Sequence, residues 1–292
     1  MSIRLNKKQI FTNKKIKEAT ILNIADVHYR NDKYSKRLAD LKELIESIKP
    51  TLICMPGDFL DTLDAIIDDK DILLEFLYKI SKLCPTVLSF GTHDYYTSLN
   101  VRISGWFNDL ASVSDTFYPI FPGQSKTVAI NDDISAVGYS LPIDMSYEFE
   151  NKESLLPYII KHAENFNLNQ EQYNLFLCHS AISFFGDLSE NGISMLKAKY
   201  IDLIASGHNH AGMMPKMFEF LNFGLISPSK KLFPQNSSGL FSKGNGIYID
   251  ISRGFLKIPG TVKEELKSLG ETLYGANDFY KPDVSVLTIT PK

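Results

Sequence analysis

From Thr20 onward the chain alternates short apolar runs with amphipathic helical stretches. The run ATILNIAD (19–26) reads as a buried strand. Arg37–Ile48 then places Leu38, Leu41, Ile45 and Ile48 on one helical face, opposite Lys42, Glu43 and Glu46. Pro50 stops that helix, and TLICMPGD (51–58) is the next strand. A helix is expected over Asp71–Lys82, followed by the strand PTVLSFG (85–91). Further on, Leu155–Phe166 reads as a helix, YNLFLCHS (173–180) as a strand, Ile193–Lys199 as a short helix and YIDLIASGHNH (200–210) as a strand. Strand–helix–strand units with short connections imply parallel strands joined by crossovers. Lys126–Ile130, Ile134–Tyr139, Gly246–Ser252 and Val284–Ile289 look like strands without helices between them, and suggest a second sheet or antiparallel additions packed on the first. No repeat or Gly/Ser linker divides the 292 residues, so one domain spanning 1–292 is expected.

Composition narrows the function classes. With 44% hydrophobic and 22% charged residues the chain is globular in type, and a formal net charge of -3 removes the broad basic field of a general nucleic-acid binder. No sequence-specific nucleic-acid partner is expected. Cys54, Cys84 and Cys178 are far apart and each sits in an apolar run, which reads as three buried free thiols in a reducing, cytoplasmic setting. The basic segment 1–18 carries Arg4, Lys7, Lys8, Lys14, Lys15 and Lys17 before its first acid, Glu18, and has no apolar core of a signal peptide. It reads as a partly extended edge segment, with weak peripheral contact to an anionic membrane as the sharper alternative.

The chemistry lies where the strands end. The expected strands finish in Asp26-Val27-His28, Gly57-Asp58, Gly91-Thr92-His93-Asp94, Cys178-His179 and Gly207-His208-Asn209-His210. Five of the six histidines therefore lie just past a strand's carboxyl end, the edge at which open α/β sheets build ligand sites. His162, within a helix, is the exception. Carboxylates and imidazoles converging on one edge form a mixed oxygen and nitrogen set for divalent transition metals: Zn, Fe or Mn, with Mn favoured by the carboxylates. In Asp-x-His the two side chains leave the same face of an extended strand and can share one ion, and Asp58 could bridge two. Two such ions can activate a water and clamp a phosphate ester.

In that order, D-x-H, GD, G-x-H-D, H and GH-x-H over residues 26–210 resemble the calcineurin-like metallophosphoesterase superfamily. The resemblance implies a four-layer α/β/β/α sandwich of two mixed sheets flanked by helices. It implies a dinuclear hydrolase of phosphodiester, phosphomonoester or pyrophosphate bonds that uses a metal-bridging hydroxide. Asp26, His28, Asp58 and His210 match the first metal's ligands; Asp58, His179 and His208 match the second's. His93 matches the catalytic histidine, and Asp94 the acidic residue that orients it. Thr92 departs from the family's Asn, offering the second metal a neutral hydroxyl on a shorter, β-branched stem. A weaker second site is expected.

GIYIDISRG (246–254) is similar to the branch containing bacterial UDP-2,3-diacylglucosamine pyrophosphatases, which implies a lipid- or nucleotide-linked phosphate ester as partner. The Met- and Phe-rich run 213–225 would then be a lid, core packing or a wall for an acyl chain. The alternative is a non-catalytic protein-binding module on the same scaffold.

Overall fold

The apolar runs are strands, and they sort into two six-stranded sheets. A computed structural model of the chain describes residues 3–29, 35–60, 70–98, 101–145, 152–185, 189–210, 235–243, 246–255 and 282–292. The first sheet holds β1 (Arg4–Thr12), β2 (Ala19–Asn23), β3 (Leu52–Pro56), β4 (Thr86–Ser89), β5 (Phe117–Ile120) and the C-terminal strand β12 (Asp283–Pro291), in the order β1-β12-β2-β3-β4-β5. β2 to β5 run parallel, while β12 lies antiparallel to β2 and parallel to β1. The second sheet holds β6 (Ser125–Ala129), β7 (Ile134–Tyr139), β8 (Tyr173–Leu177), β9 (Ile201–Ser206), β10 (Gly239–Lys243) and β11 (Ile247–Ile251), in the order β10-β11-β9-β8-β7-β6. Its centre, β11-β9-β8-β7, is parallel, and both edge strands are antiparallel.

The alternation of side chains explains the stacking of layers. Ile21, Leu52, Cys54, Val87, Leu287 and Ile289 of the first sheet meet Ala136, Leu175, Leu177, Leu203 and Ala205 of the second in one buried inter-sheet core. The opposite faces carry Leu22, Ile53, Met55 and Leu88 on one side and Phe176 and Ile204 on the other, under the helices. α1 (Ser35–Ile48), α2 (Lys70–Leu83) and α4 (Val101–Val113) pack side by side, as do α5 (Lys152–Ala163) and α6 (Ser189–Ala198). The result is the α/β/β/α sandwich of two mixed sheets.

Several elements extend beyond the sequence reading. The basic N-terminal segment is largely the strand β1, paired with β12 across nine positions. Three of its cations are in ion pairs: Arg4 with Asp283 (3.6 Å), Lys8 with Asp250, and Lys14 with Asp202 (2.6 Å). α3 (Thr92–Ser98), α4, β5 and β10 were not foreseen; β5 is four residues and β10 (GLFSK) lacks the apolar density of a core strand. All three cysteines are free and buried. Among the described residues no helix is long and apolar enough to cross a membrane. The 213–225 run lies outside the described residues.

Candidate metal centre

Each ligand candidate sits two to five residues beyond a strand, and the backbone ladder continues past the strand ends to hold most of them. Asp26 N–H donates to Gly57 O (3.1 Å) and His28 N–H to Asp58 O (2.9 Å), which locks the loop after β2 to the loop after β3. Gly207 N–H donates to His179 O (3.0 Å), which does the same for β9 and β8. Two side-chain bonds then join the sheets. His208 N–H donates to the Asp26 carboxylate at 3.1 Å from either oxygen, and His179 Nδ1 donates to Pro56 O at 2.8 Å.

These ties bring the side chains into two sets that share Asp58. Asp26, His28, Asp58 and His210 have ligand atoms within 4.8 Å of one another, and so do Asp58, His179 and His208. All six are buried. In the first set His28 Nε2 lies 3.2 Å from His210 Nε2 and 3.7 Å from Asp58 Oδ2, with Asp26 Oδ1 3.7 Å from His210 Nε2. In the second, His179 Nε2 is 3.3 Å from Asp58 Oδ2 and 3.0 Å from His208 Nδ1. Because a carbonyl can only accept, His179 must carry a proton on Nδ1, and that leaves Nε2 as its ligand atom. Imidazole lone pairs converging with carboxylates at these distances suit shared divalent cations.

The local backbone is strained to achieve this. Asp26, His28, Asp58, His208 and His210 all have positive φ, from 44° to 71°, and they are five of the eight such non-glycine residues described. Each left-handed residue costs about 1–3 kcal/mol, and such strain concentrates at functional sites. The glycines follow a different logic from that of turn residues alone. Gly57 has φ 94°, but Gly91 and Gly207 are glycine for space. A Cβ on Gly91 would stand 2.4 Å from Asp58 N and Oδ1, and one on Gly207 2.5 Å from Asp26 Oδ2.

Residues 19–212 match the family described as calcineurin-like phosphoesterase. The chain belongs to that family. An "Uncharacterized metallophosphoesterase" of Aquifex aeolicus is 24% identical over 293 residues, 99% of this chain and 93% of the relative. A Caenorhabditis elegans protein described as a metallophosphoesterase is 25% identical over 67% of this chain and 37% of its own length. Among solved structures, a dimetal phosphatase from Danio rerio matches with a TM-score of 0.48 and 13% identity, over 82% of this chain and 89% of that one. Purple acid phosphatase from yellow lupin (Lupinus luteus) seeds matches with 0.41 and 13%, over 68% and 40%.

The electrostatics of this calcineurin-like phosphoesterase follow from burial and crowding. Burial pushes Asp26 up to about 7, against the lowering pull of His179. Burial acts upward on Asp58 too, but the adjacent His179, then His93 and His28, hold its carboxyl well below the usual range. Burial works downward on His179, and Asp58 overrides it to bring the imidazole up to about 9. His210 is held well below the ordinary histidine value by burial and by His28. Without cations the cluster thus sets imidazole against imidazole, and a divalent ion would replace those protons.

The remaining candidates lie around the pair. His93 is half-buried; its backbone N–H donates to Asp58 Oδ1 (2.8 Å) and its ring stands edge-on to His28 with centroids 4.6 Å apart. Asp94 is buried and accepts from Gly91 N (2.8 Å) and Leu60 N (2.9 Å), tying the start of α3 to the residues after β3. Burial, then the nearby Asp58, pushes it up to about 6. Thr92 Oγ1 is buried and has no hydrogen-bond partner among the described residues. His162 stands apart, with Nδ1 3.2 Å from Ser125 Oγ. Gly254 gains a role that a short motif could not show. At φ 84° its missing Cβ would stand 3.1 Å from His210 Nδ1, so the turn after β11 walls the first set.

Proposed function

We propose that the protein hydrolyses phosphate esters with two divalent metal ions, held by Asp26, His28, Asp58 and His210 and by Asp58, His179 and His208. One observation carries this reading: two buried ligand sets share one carboxylate at the carboxyl edge of both sheets. Cations bound there would supply Lewis acidity and an activated water. Asp58 spans both sets and fixes their separation. His93, anchored through its backbone to Asp58 Oδ1, holds a proton on its imidazole and delivers it to the departing oxygen. Asp94 positions that histidine through the α3 backbone. The four imidazoles suit Zn or Fe, and the carboxylates of Asp26 and the shared Asp58 argue for Mn.

The two sets differ in strength. The first has four charged or imidazole donors and the second three; the Thr92 hydroxyl is buried. Thr92 is the weak ligand of the second ion, so that ion binds less tightly, and Thr92→Asn tightens it. Two equally tight ions in the native protein, measured by calorimetric titration, would refute this.

The substrate in the narrower form of the proposal is a lipid- or nucleotide-linked phosphate ester. The free buried thiols fit a cytoplasmic setting, and the exposed Lys7, Lys15 and Lys17 allow peripheral contact with an anionic membrane. The first test is hydrolysis of an aryl phosphodiester with Mn²⁺ by native protein, Asp58→Asn and His93→Ala. Activity lost at Asp58 and sharply reduced at His93 is expected. A folded native protein inactive with Mn, Fe and Zn would refute hydrolysis and leave a binding module.

A further inference from the structure

Behind the metal centre, between the sheets, lies a polar cluster that the reaction does not use. Lys8 Nζ on β1 is ion-paired with the Asp250 carboxylate on β11 and also lies 3.3 Å from Ser285 Oγ on β12. Asn23, the last residue of β2, donates Nδ2–H to the other Asp250 oxygen (2.8 Å) and to Ser206 O (3.1 Å), the last residue of β9. The Asp250 side chain is fully buried and that of Lys8 is 10% exposed. Burying an ion pair costs more desolvation than apolar side chains of the same volume would, so stability alone is a weak reason for its presence.

Its position supplies another reason. Asn23 stands three residues before Asp26 and five before His28. Ser206 stands two before His208 and four before His210. Asp250 stands four before Gly254, whose backbone packs on His210 and Asp26. Of the strands that this cluster joins, β2 leads to Asp26 and His28 of the first set, and β9 leads to His210 of the first set and His208 of the second. β3 and β8, which carry Asp58 and His179, have no part in it.

We propose that Asn23 and the Lys8–Asp250 pair are positioning residues that set the register of β2 against β9 and β11, and so hold Asp26 and His28 in place against His208 and His210. The inference rests on the metal-centre reading only for its second readout. The hydrogen bond from His208 N–H to the Asp26 carboxylate spans the same two sheets and reports their register with no metal bound.

A control is built into the fold. Lys14 pairs with Asp202 (2.6 Å), at the opposite end of β9, and also donates to Gln172 O. It ties the N-terminal segment to the second sheet as Lys8 does, but away from the ligands.

The experiment compares native full-length protein with Asn23→Ala and Lys14→Met, each for thermal midpoint, for exchange of the His208 amide in metal-free protein, and for Mn²⁺ binding by calorimetry. Asn23→Ala is expected to speed His208 exchange and to weaken the tighter Mn²⁺ site about 10- to 100-fold, the usual effect of losing a group that orients ligands. Lys14→Met, with a comparable or larger fall in midpoint, should leave both near native. Equal effects of the two variants on His208 exchange, or native exchange in Asn23→Ala, would overturn the proposal. If Asn23→Ala does not fold, Lys8→Met applies the same comparison from β1. Absence of Mn²⁺ binding in the native protein would defeat the metal-centre reading, and the exchange comparison would still decide the positioning role.

Discussion

Adding one methyl group at two glycines should move this protein in opposite directions. Gly105 lies inside α4, and a Cβ there meets no atom within 4 Å. Alanine removes glycine's entropic penalty at that position, worth about 0.5–1 kcal/mol in a helix. Gly91 lies at the turn from β4 into α3, where a Cβ would stand 2.4 Å from Asp58 N and Oδ1 and 2.7 Å from His179 Cε1. None of those atoms ends a flexible side chain, so relief requires moving the shared carboxylate or its backbone. Overpacking of this kind costs about 1–3 kcal/mol. At about 2–3 °C per kcal/mol for a chain of this size, Gly105→Ala should raise the melting midpoint by about 1–3 °C and Gly91→Ala should lower it by about 2–9 °C. Asp58 belongs to both ligand sets, so Gly91→Ala should also weaken both ions while Gly105→Ala leaves them alone. Differential scanning calorimetry and Mn²⁺ titration read the two effects. Native metal binding in Gly91→Ala would refute the idea that glycine is there to admit Asp58.

Two further outcomes concern parts of the molecule away from the ligands. A Cβ on Gly138 would stand 2.3 Å from Ile120 Cγ1, so Gly138→Ala should lower the melting midpoint while the Mn²⁺ stoichiometry stays native. His162 is held below its ordinary value by partial burial and by Lys161, so the unfolded chain binds its proton more readily than the folded one. That contribution to stability is present above the ordinary histidine value and declines as pH falls below it; urea denaturation should show a slightly flatter loss between about pH 7 and pH 5 in His162→Gln.

How much of this was legible depends on the range of the interaction concerned. α1 was readable because Leu38, Leu41, Ile45 and Ile48 repeat at helical spacing, and β3 and β8 because they are short, largely apolar runs buried on both faces. β5 and β10 were not readable. β5 is short and contains Pro119, and β10 is a half-exposed edge whose pairing with β11 is decided across the sheet. β1 carries charge at the positions where a strand signal would lie, because Lys8 is neutralised by a residue 242 positions away. A polar residue inside an apolar run, Asn23 in ATILNIAD and Asp250 in IYIDIS, is the one trace of that pairing in the sequence.

The sequence by itself determined which side chains stand at strand ends. Short apolar runs bounded by turns mark the central strands, and Asp, His and Gly placed just beyond them are local facts of the chain. Tertiary structure decided which of those ends meet. Only the stacking of two sheets lets the Asp26 carboxylate accept from His208 N–H and His179 Nδ1 donate to Pro56 O, across separations that no spacing rule spans. It also decided the purpose of the glycines. Gly57 answers a backbone angle, which a turn motif can signal, and also the approach of Gly91 and His179; Gly91 and Gly207 answer close approach alone, by Asp58 and by Ala25 and Asp26. Local sequence sets torsion and periodicity; close approach between segments far apart in the chain exists only once the sheets have packed.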